Sequence, residues 1–229
     1  MNELYTIKFN KKKYFYYFQE LTKNLSTREL KTLSNKKRKS SKIQFILSRI
    51  LIKKIAFPDV KMNDINVKFC SQNQALIVEY KQKKSKYLYF ISHSKECICI
   101  FANEKGRIGI DVEFEDPKRT VLQNTATLFH ENEKNVELIS SFYTLWTLKE
   151  SYAKYTISNY LDILKVDIIN QLKLDDLSHF SLTIYNDYKL SVIYNPNNNG
   201  NIKNIAKNTI ESRVLNIEGL QLNYQEIKV

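Results

Sequence analysis

The chain has 229 residues, of which 43% are hydrophobic, and a formal net charge of +12. This composition predicts a globular protein with one large core or two small lobes, and it excludes fibrous and disordered classes. The sequence contains no run of about 18 apolar residues that could cross a bilayer and no signal-peptide pattern, so we expect a cytoplasmic protein. Three cysteines without CxxC spacing and three scattered histidines argue against a disulfide framework and a soft-ligand zinc site.

The positive charge predicts attraction to anionic partners, which could be nucleic acid, phosphorylated cofactors, acidic proteins or membrane surfaces. Lysine greatly outnumbers arginine, and asparagine and isoleucine are abundant. That bias is typical of an AT-rich genome, so charge alone does not choose among these partners.

Two helices are predicted over residues 26–57. Ser26 is a candidate N-cap with Glu29 at the capping-box spacing, and the apolar stripe of the second helix stops before Pro58. Short runs rich in β-branched and aromatic residues then predict strands at 67–70, 75–80, 86–92 and 96–102.

A turn at 103–106 is the best candidate for a lobe boundary, so we expect an N-terminal lobe at 1–104 and a C-terminal lobe at 105–229. The second lobe begins with the strand RIGIDVEFE, followed by a helical region from about 121 to 155. Two further strands at 179–185 and 188–194, and a flexible loop at 195–201, complete the assignment. Runs of helices and strands in this order indicate an α+β fold with helices on one side of antiparallel strands.

The strand at 107–115 places Gly109, Asp111 and Glu113 on one face, because successive side chains of a strand alternate. Two neighbouring carboxylates repel each other. Either that face is solvated or a cation lies against it.

The segment FYTLWTLKESYAKY, residues 142–155, places Trp146, Glu150 and Lys154 on one helical stripe at a spacing of four. Taken alone, Glu150 and Lys154 are more often an ordinary exposed ion pair, and Trp146 is more often core packing than a ligand contact. The segment ISHS places Ser92 and His93 where an aromatic strand ends, and in isolation it is compatible with a histidine that has no role.

Together, SHS, then IGIDVE, then FYTLWTLKESYAK resemble in order and spacing the signature of the Sfp-type 4′-phosphopantetheinyl transferases, named for the activator of surfactin synthetase. The resemblance is dense over residues 88–156 and fainter elsewhere, and residues 196–229 have no counterpart in it. It implies two similar α/β lobes in one chain, related by a pseudo-twofold axis, with coenzyme A in the cleft between them.

The resemblance further implies a magnesium-dependent enzyme that moves the 4′-phosphopantetheine arm of coenzyme A onto a serine of an apo carrier protein and releases 3′,5′-ADP. Asp111, Glu113 and Glu150 would hold Mg²⁺, with Mn²⁺ as an alternative, since hard cations prefer carboxylate oxygens. Glu150, or a metal-bound water that it orients, would be the base for the serine hydroxyl, and Lys154 would contact the pyrophosphate.

Ser92 and His93 would contact coenzyme A phosphate by the same resemblance. Lys42 is a further candidate ligand, because it lies near the family's helix arginine, which is Gln44 here. The family's cationic segment upstream of SHS is replaced by residues 75–77, Ala-Leu-Ile, so the coenzyme A pocket is expected to be divergent.

The implied partner is an acyl or peptidyl carrier protein of fatty-acid, polyketide or non-ribosomal-peptide synthesis, and the expected state is a monomer without nucleic-acid or membrane partners. One alternative is a basic nucleic-acid-binding protein that uses the lysine runs at 36–42 and 81–86. Another is a degenerate transferase that binds coenzyme A or a carrier without catalysis.

Overall fold

The computed structural model describes residues 3–118, 127–134, 139–198, 210–217 and 220–228. The described residues form two compact units, one within Met1–Lys105 and Ala206–Val229 and the other within Gly106–Ile205. All strand pairs that they form are antiparallel, and helices accompany both sheets. The predicted α+β class is therefore confirmed, whereas the pseudo-twofold relation between two similar lobes stays a prediction.

Four helices of the first unit precede most of its strands: α1 (Lys11–Tyr16), α2 (Phe18–Thr22), α3 (Thr27–Ser34) and α4 (Lys39–Ala56). The predicted cap of α3 is present, since the Ser26 amide and hydroxyl both donate to Glu29 Oε2, at 2.8 and 3.0 Å. The aromatic run that follows β1 forms α1 and α2. Asn10 caps α1 by accepting a hydrogen bond from the Lys13 amide.

An eight-stranded sheet forms the body of the first unit, with the order β10-β11-β1-β6-β5-β3-β2 and β4 paired to β3. One face packs against α4 around a core that includes Ile46, Ile50 and Ile98. The strands are β1 (Glu3–Lys8), β2 (Asn66–Cys70), β3 (Ala75–Tyr80), β4 (Lys83–Lys84), β5 (Leu88–Ser94), β6 (Cys97–Asn103), β10 (Ile210–Ile217) and β11 (Leu220–Lys228).

The hairpin of β10 and β11 was not predicted. The sequence suggested one lobe at 105–229, whereas the structure groups this hairpin with the first unit because β11 pairs with β1 along Glu3–Thr6. The hydrogen bonds between β1 and β11 join residues more than 200 positions apart. A local pattern carries no signal for such a pairing.

The second unit is a three-stranded sheet of order β7-β9-β8 with helices packed on it. Its strands are β7 (Ile108–Phe114), β8 (Ser178–Ile184) and β9 (Tyr188–Tyr194), and its helices are α5 (Ile139–Thr156), α6 (Tyr160–Leu164) and α7 (Ile168–Leu174).

The helix predicted from about residue 121 begins only at Ile139 among the described residues. Before it, residues 127–134 form turns and the short 3-10 helix Glu131–Glu133. Residues 119–126 and 135–138, which the prediction also covered, lie outside the described residues. Within the described ranges, no helix is both long and apolar enough to span a membrane.

Candidate active site

The polar face of β7 points toward α5. Asp111 is only 3% exposed, and Glu113, two residues further along the same face, is half-buried. Asp111 pairs across the sheet with Ser191 of β9. The sequence left open whether this face is solvated or lies against a cation. In the structure the Asp111 side chain is shielded from solvent.

Gly109 allows α5 to lie unusually close to β7. A Cβ added to Gly109 would lie 2.0 Å from the carbonyl oxygen of Ser151, a separation that real Cβ atoms do not show. The side chains along this seam are small and hydrogen-bonded: Thr147 Oγ1 lies 2.7 Å from Ser191 Oγ, and Ser151 Oγ donates to the Ser191 carbonyl at 2.9 Å. In the structure, the backbone of α5 uses the space that the missing side chain of Gly109 leaves on the polar face.

This close approach brings the charged stripe of α5 to the carboxylates of β7. Lys154 Nζ donates to Asp111 Oδ1 at 2.5 Å and lies 3.8 Å from Glu150 Oε2. Burial of the ammonium opposes its charge, but the field of Asp111, Glu150 and Glu113 outweighs this effect and raises the pKa of Lys154. Three carboxylates and one lysine predicted from the sequence are therefore electrostatically linked in the structure.

A buried ion pair braces the opposite flank of α5. Lys149 is 0% exposed, and its Nζ lies 2.6 Å from Glu133 Oε2 and donates to the carbonyl of Val166. Glu133 Oε1 also accepts a hydrogen bond from the amide of Ile168, at 2.8 Å. Burial lowers the pKa of Lys149, and Glu133 opposes that shift.

This brace fixes the rotation of α5, and sequence reasoning missed it. The helical spacing places Lys149 beside the stripe of Glu150 and Lys154 but gives no sign that it is buried, and Glu133 belongs to a segment that was predicted to be helical.

The carboxylate oxygens of Asp111, Glu113 and Glu150 are the ligand type that hard divalent cations prefer. Their field already acts on one positive charge, the ammonium of Lys154. As the side chains stand, no three His, Cys, Asp or Glu residues of the described ranges are grouped closely enough to hold a metal ion. The ammonium of Lys154 lies against Asp111 Oδ1 in this arrangement.

A groove of about 260 Å³ in the first unit is lined by His93, which was predicted to contact coenzyme A phosphate. His93 is exposed there on β5, together with Lys36, Gln44, Phe45 and Arg49. Arg49 Cζ lies 4.6 Å from the centre of the Phe45 ring, and Lys36 Nζ lies 5.2 Å from it. The groove therefore combines cations with an aromatic face.

Arg49 is held by Glu29, whose Oε1 lies 3.8 Å from Arg49 Nε. Burial lowers the pKa of Arg49 to about 10, and Glu29 opposes that shift. The guanidinium therefore stays charged at neutral pH and can attract an anion.

Two predicted coenzyme A ligands lie outside the groove lining. Ser92 is buried and, by strand alternation, faces the other side of the sheet from His93. Lys42 is half-exposed on α4, while Lys36 and Arg49 line the groove. Lys36 had been assigned to the nucleic-acid alternative, and Arg49 had been given no role.

Trp146 has a packing role, as predicted. Its ring stacks on Phe142 at a centroid distance of 5.8 Å and lies 5.1 Å from Tyr160, within a small aromatic cluster. It supports the helix that carries Glu150.

Residues 107–205 match the family model of the 4′-phosphopantetheinyl transferase superfamily. The matched region coincides closely with the second unit and contains Asp111, Glu113, Glu150 and Lys154. That superfamily is described by phosphopantetheine transfer in general, and the match covers less than half of the chain. No curated protein shows a significant match to this chain.

Proposed function

We propose that this protein is an Sfp-type transferase that moves the 4′-phosphopantetheine arm of coenzyme A onto a serine of an apo acyl or peptidyl carrier protein and releases 3′,5′-ADP. The observation that carries the proposal is the position of Asp111 and Glu150, 2.5 and 3.8 Å from Lys154 Nζ, with Glu113 on the same strand face, within the segment that matches the superfamily model. An ordinary surface ion pair would not bury one of its carboxylates to 3% exposure and link it to two others.

The reaction forms a bond between the serine Oγ and the phosphorus that carries pantetheine, and it breaks the bond from that phosphorus to the bridging oxygen of the pyrophosphate. The serine hydroxyl loses its proton, and the bridging oxygen leaves with 3′,5′-ADP. Negative charge builds on the leaving oxygen, so catalysis is mainly positioning and charge stabilisation.

Lys154 is suited to that stabilisation. Its raised pKa keeps the side chain protonated throughout the neutral range, and its 41% exposure leaves the ammonium reachable by a phosphate. Glu150 lies one helical turn away, where its carboxylate can accept the serine proton directly or through a water.

A divalent cation, Mg²⁺ or Mn²⁺, would be held by Asp111, Glu113 and Glu150, and it would neutralise charge on the transferring phosphate. Gly109 and the serine seam hold the strand and the helix close enough for carboxylates from both to take part.

The groove of the first unit is assigned to the nucleotide end of coenzyme A. His93, Lys36 and Arg49 supply donors for phosphate, and the Phe45 ring holds the two cationic side chains against it. These side chains replace the cationic Gly-Lys-Pro segment that is absent at residues 75–77. Leu76, from that position, lines the groove as an apolar wall.

The test is intact-mass spectrometry of an apo carrier protein incubated with coenzyme A, magnesium and this protein. We expect the carrier to gain the mass of one phosphopantetheine arm, with 3′,5′-ADP released in equal amount. Calorimetric binding of coenzyme A without any mass gain, across fatty-acid, polyketide and peptide carriers, would instead identify a degenerate transferase and refute the proposal.

A further inference from the structure

The positive charge of this protein is concentrated in one segment. Residues 8–42 contain twelve lysines and arginines against two glutamates, so ten of the twelve net positive charges lie in 35 residues. A uniform codon bias toward lysine does not explain this polarity. The segment therefore needs a physical explanation of its own.

Acidic residues do little to offset this charge. Glu29 is 3% exposed and forms ion pairs with Lys53 and Arg49. Glu20 pairs with Lys23 at 2.5 Å. All twelve basic side chains are exposed or half-buried. The surface made by α1 and the start of α4 is therefore strongly positive.

An apolar groove of about 360 Å³ lies within this positive surface. Phe15 and the buried Ile43 form its apolar walls, and its other lining residues are Lys11, Lys12, Lys39 and Ser40. Lys39 Nζ lies 4.7 Å from the centre of the Phe15 ring. We call the surface formed by these six residues and Tyr16 the basic-aromatic patch.

Aromatic rings also protrude beside the groove. Tyr16 is 85% exposed, and its ring packs edge-on against Tyr17 at 5.2 Å. Phe15 is 41% exposed, although large aromatic side chains are normally buried. The helix that presents them is anchored, because the Lys11 amide donates to Glu96 Oε1 at 3.2 Å and the Phe9 amide donates to the Glu96 carbonyl at 2.9 Å.

We propose that the basic-aromatic patch binds the surface of an anionic lipid bilayer. Lysines on flexible stems reach the phosphate level, while protruding tyrosine and phenylalanine rings suit the boundary between headgroups and acyl chains. The combination supplies the two signals, electrostatic and apolar, that reversible membrane attachment requires. The proposal departs from the sequence-based expectation of no membrane partner, and it is independent of the proposed transfer reaction.

A lipid surface fits these features better than nucleic acid or an acidic protein. Tyr16 is 85% exposed, so a rigid protein partner would need a hollow to accommodate its ring. Bases stack on flat, accessible ring faces. Here the face of Phe15 is taken by the ammonium of Lys39, and the two tyrosine rings meet edge to face.

The experiment is co-flotation of the full chain with vesicles of phosphatidylglycerol and phosphatidylcholine, with pure phosphatidylcholine vesicles as the neutral comparison. We expect binding to the anionic vesicles only, still measurable at about 0.15 M ionic strength and weakened as salt is raised further. Failure to bind anionic vesicles at that ionic strength would overturn the proposal.

The patch variant is Lys11→Gln/Lys12→Gln/Lys39→Gln. It should weaken binding roughly a hundredfold, since each lysine near an anionic surface contributes a factor of about five. The matched control is Lys81→Gln/Lys83→Gln/Lys84→Gln, which removes the same charge from exposed positions at and beside β4 of the same unit. Equal losses from both variants would show that net charge alone drives binding and would refute the patch.

Tyr16→Ser provides the apolar test, because a side chain this exposed can be replaced without disturbing the core. It should weaken vesicle binding without changing the dependence on salt. Tighter binding to an oligothymidine strand or to polyglutamate than to the vesicles, lost in the same patch variant, would assign the patch to nucleic acid or to an acidic protein and overturn the lipid proposal. All variants should keep the unfolding temperature of the wild type.

Discussion

Lys154 Nζ lies 2.5 Å from Asp111 Oδ1, and this contact joins a strand and a helix that are 43 residues apart in the chain. Glu150 and Glu113 act on the same ammonium. The electrostatic centre of the second unit is thus a lysine surrounded by three carboxylates. Each of these groups has a stated part in the proposed reaction.

The first prediction concerns the ionisation of Lys154. Its carboxylate neighbours raise its pKa, so we expect its titration midpoint above the ordinary value of about 10.4 for lysine. Because the folded-state pKa is the higher one, the stabilisation from these contacts is fully present below the unfolded-state pKa and is lost as pH rises through the folded-state value.

The measurement is the NMR titration of ¹³C-methylated lysines. In Asp111→Asn the midpoint of Lys154 should fall, since its nearest carboxylate is gone. A midpoint that is unchanged in Asp111→Asn would show that the two side chains do not interact in solution. Addition of Mg²⁺ to the wild type should also lower the midpoint if the cation competes for Asp111.

The second prediction concerns the contact between Gly109 and α5. Gly109→Ala would place a methyl group against the Ser151 carbonyl, so α5 must shift outward from β7. We expect a loss of about 1–3 kcal/mol in the free energy of unfolding, typical of overpacking. Chemical denaturation measures it.

Transfer activity should fall with this stability loss, since Glu150 and Lys154 move with the helix. The control is Ser141→Ala, an exposed position near the start of α5. Wild-type stability in Gly109→Ala would contradict the close helix–strand contact.

The third prediction concerns the buried brace of Lys149 and Glu133. Glu133→Gln leaves the ammonium of Lys149 buried without its anionic partner, which should destabilise the protein by about 3–5 kcal/mol. The double variant Glu133→Gln/Lys149→Met removes both charges and should recover much of that loss.

Denaturation of the single and double variants forms a double-mutant cycle. The control is the exposed pair of Glu20 and Lys23, where Glu20→Gln should have little effect. Additive losses at Glu133 and Lys149 would show that the pair is not coupled.

The fourth prediction concerns the groove of the first unit. His93→Ala should raise KM for coenzyme A about tenfold, the loss expected for one hydrogen bond of about 1–1.5 kcal/mol, while kcat stays near wild type. Steady-state kinetics with varied coenzyme A separate the two constants. His179→Ala, an exposed histidine on β8, is the control, and equal effects from both histidines would remove the groove from the coenzyme A site.

Much of the second unit was predictable because its signals are local. The alternation of apolar and polar residues at 108–113 predicts β7 and its polar face. The four-residue spacing of Glu150 and Lys154 places both side chains on one stripe of α5. In the first unit, the capping box of Ser26 and Glu29 is a local signal of the same kind and marks the start of α3. These patterns need only the periods of the helix and the strand.

The contacts that sequence reasoning missed depend on distant pairing. The burial of Lys149 against Glu133 requires the fold of α6 and α7, and the pairing of β11 with β1 joins the two ends of the chain. Ser92 and His93 were treated as a unit, but alternation places them on opposite faces of β5. Lys36 and Arg49 enter the groove because α3 and α4 pack together, which no local motif specifies.

The most direct test of the carboxylate centre compares transfer to an apo carrier by Glu150→Gln and by Glu104→Gln, with saturating coenzyme A and magnesium. Glu104 is an exposed carboxylate paired with Lys86 at 3.2 Å, so its variant makes the same chemical change away from the centre. We predict that Glu150→Gln loses about 10²–10⁴-fold in transfer rate while Glu104→Gln keeps the wild-type rate. A wild-type rate in Glu150→Gln, measured by the mass of the carrier, would contradict the assignment of this centre to catalysis.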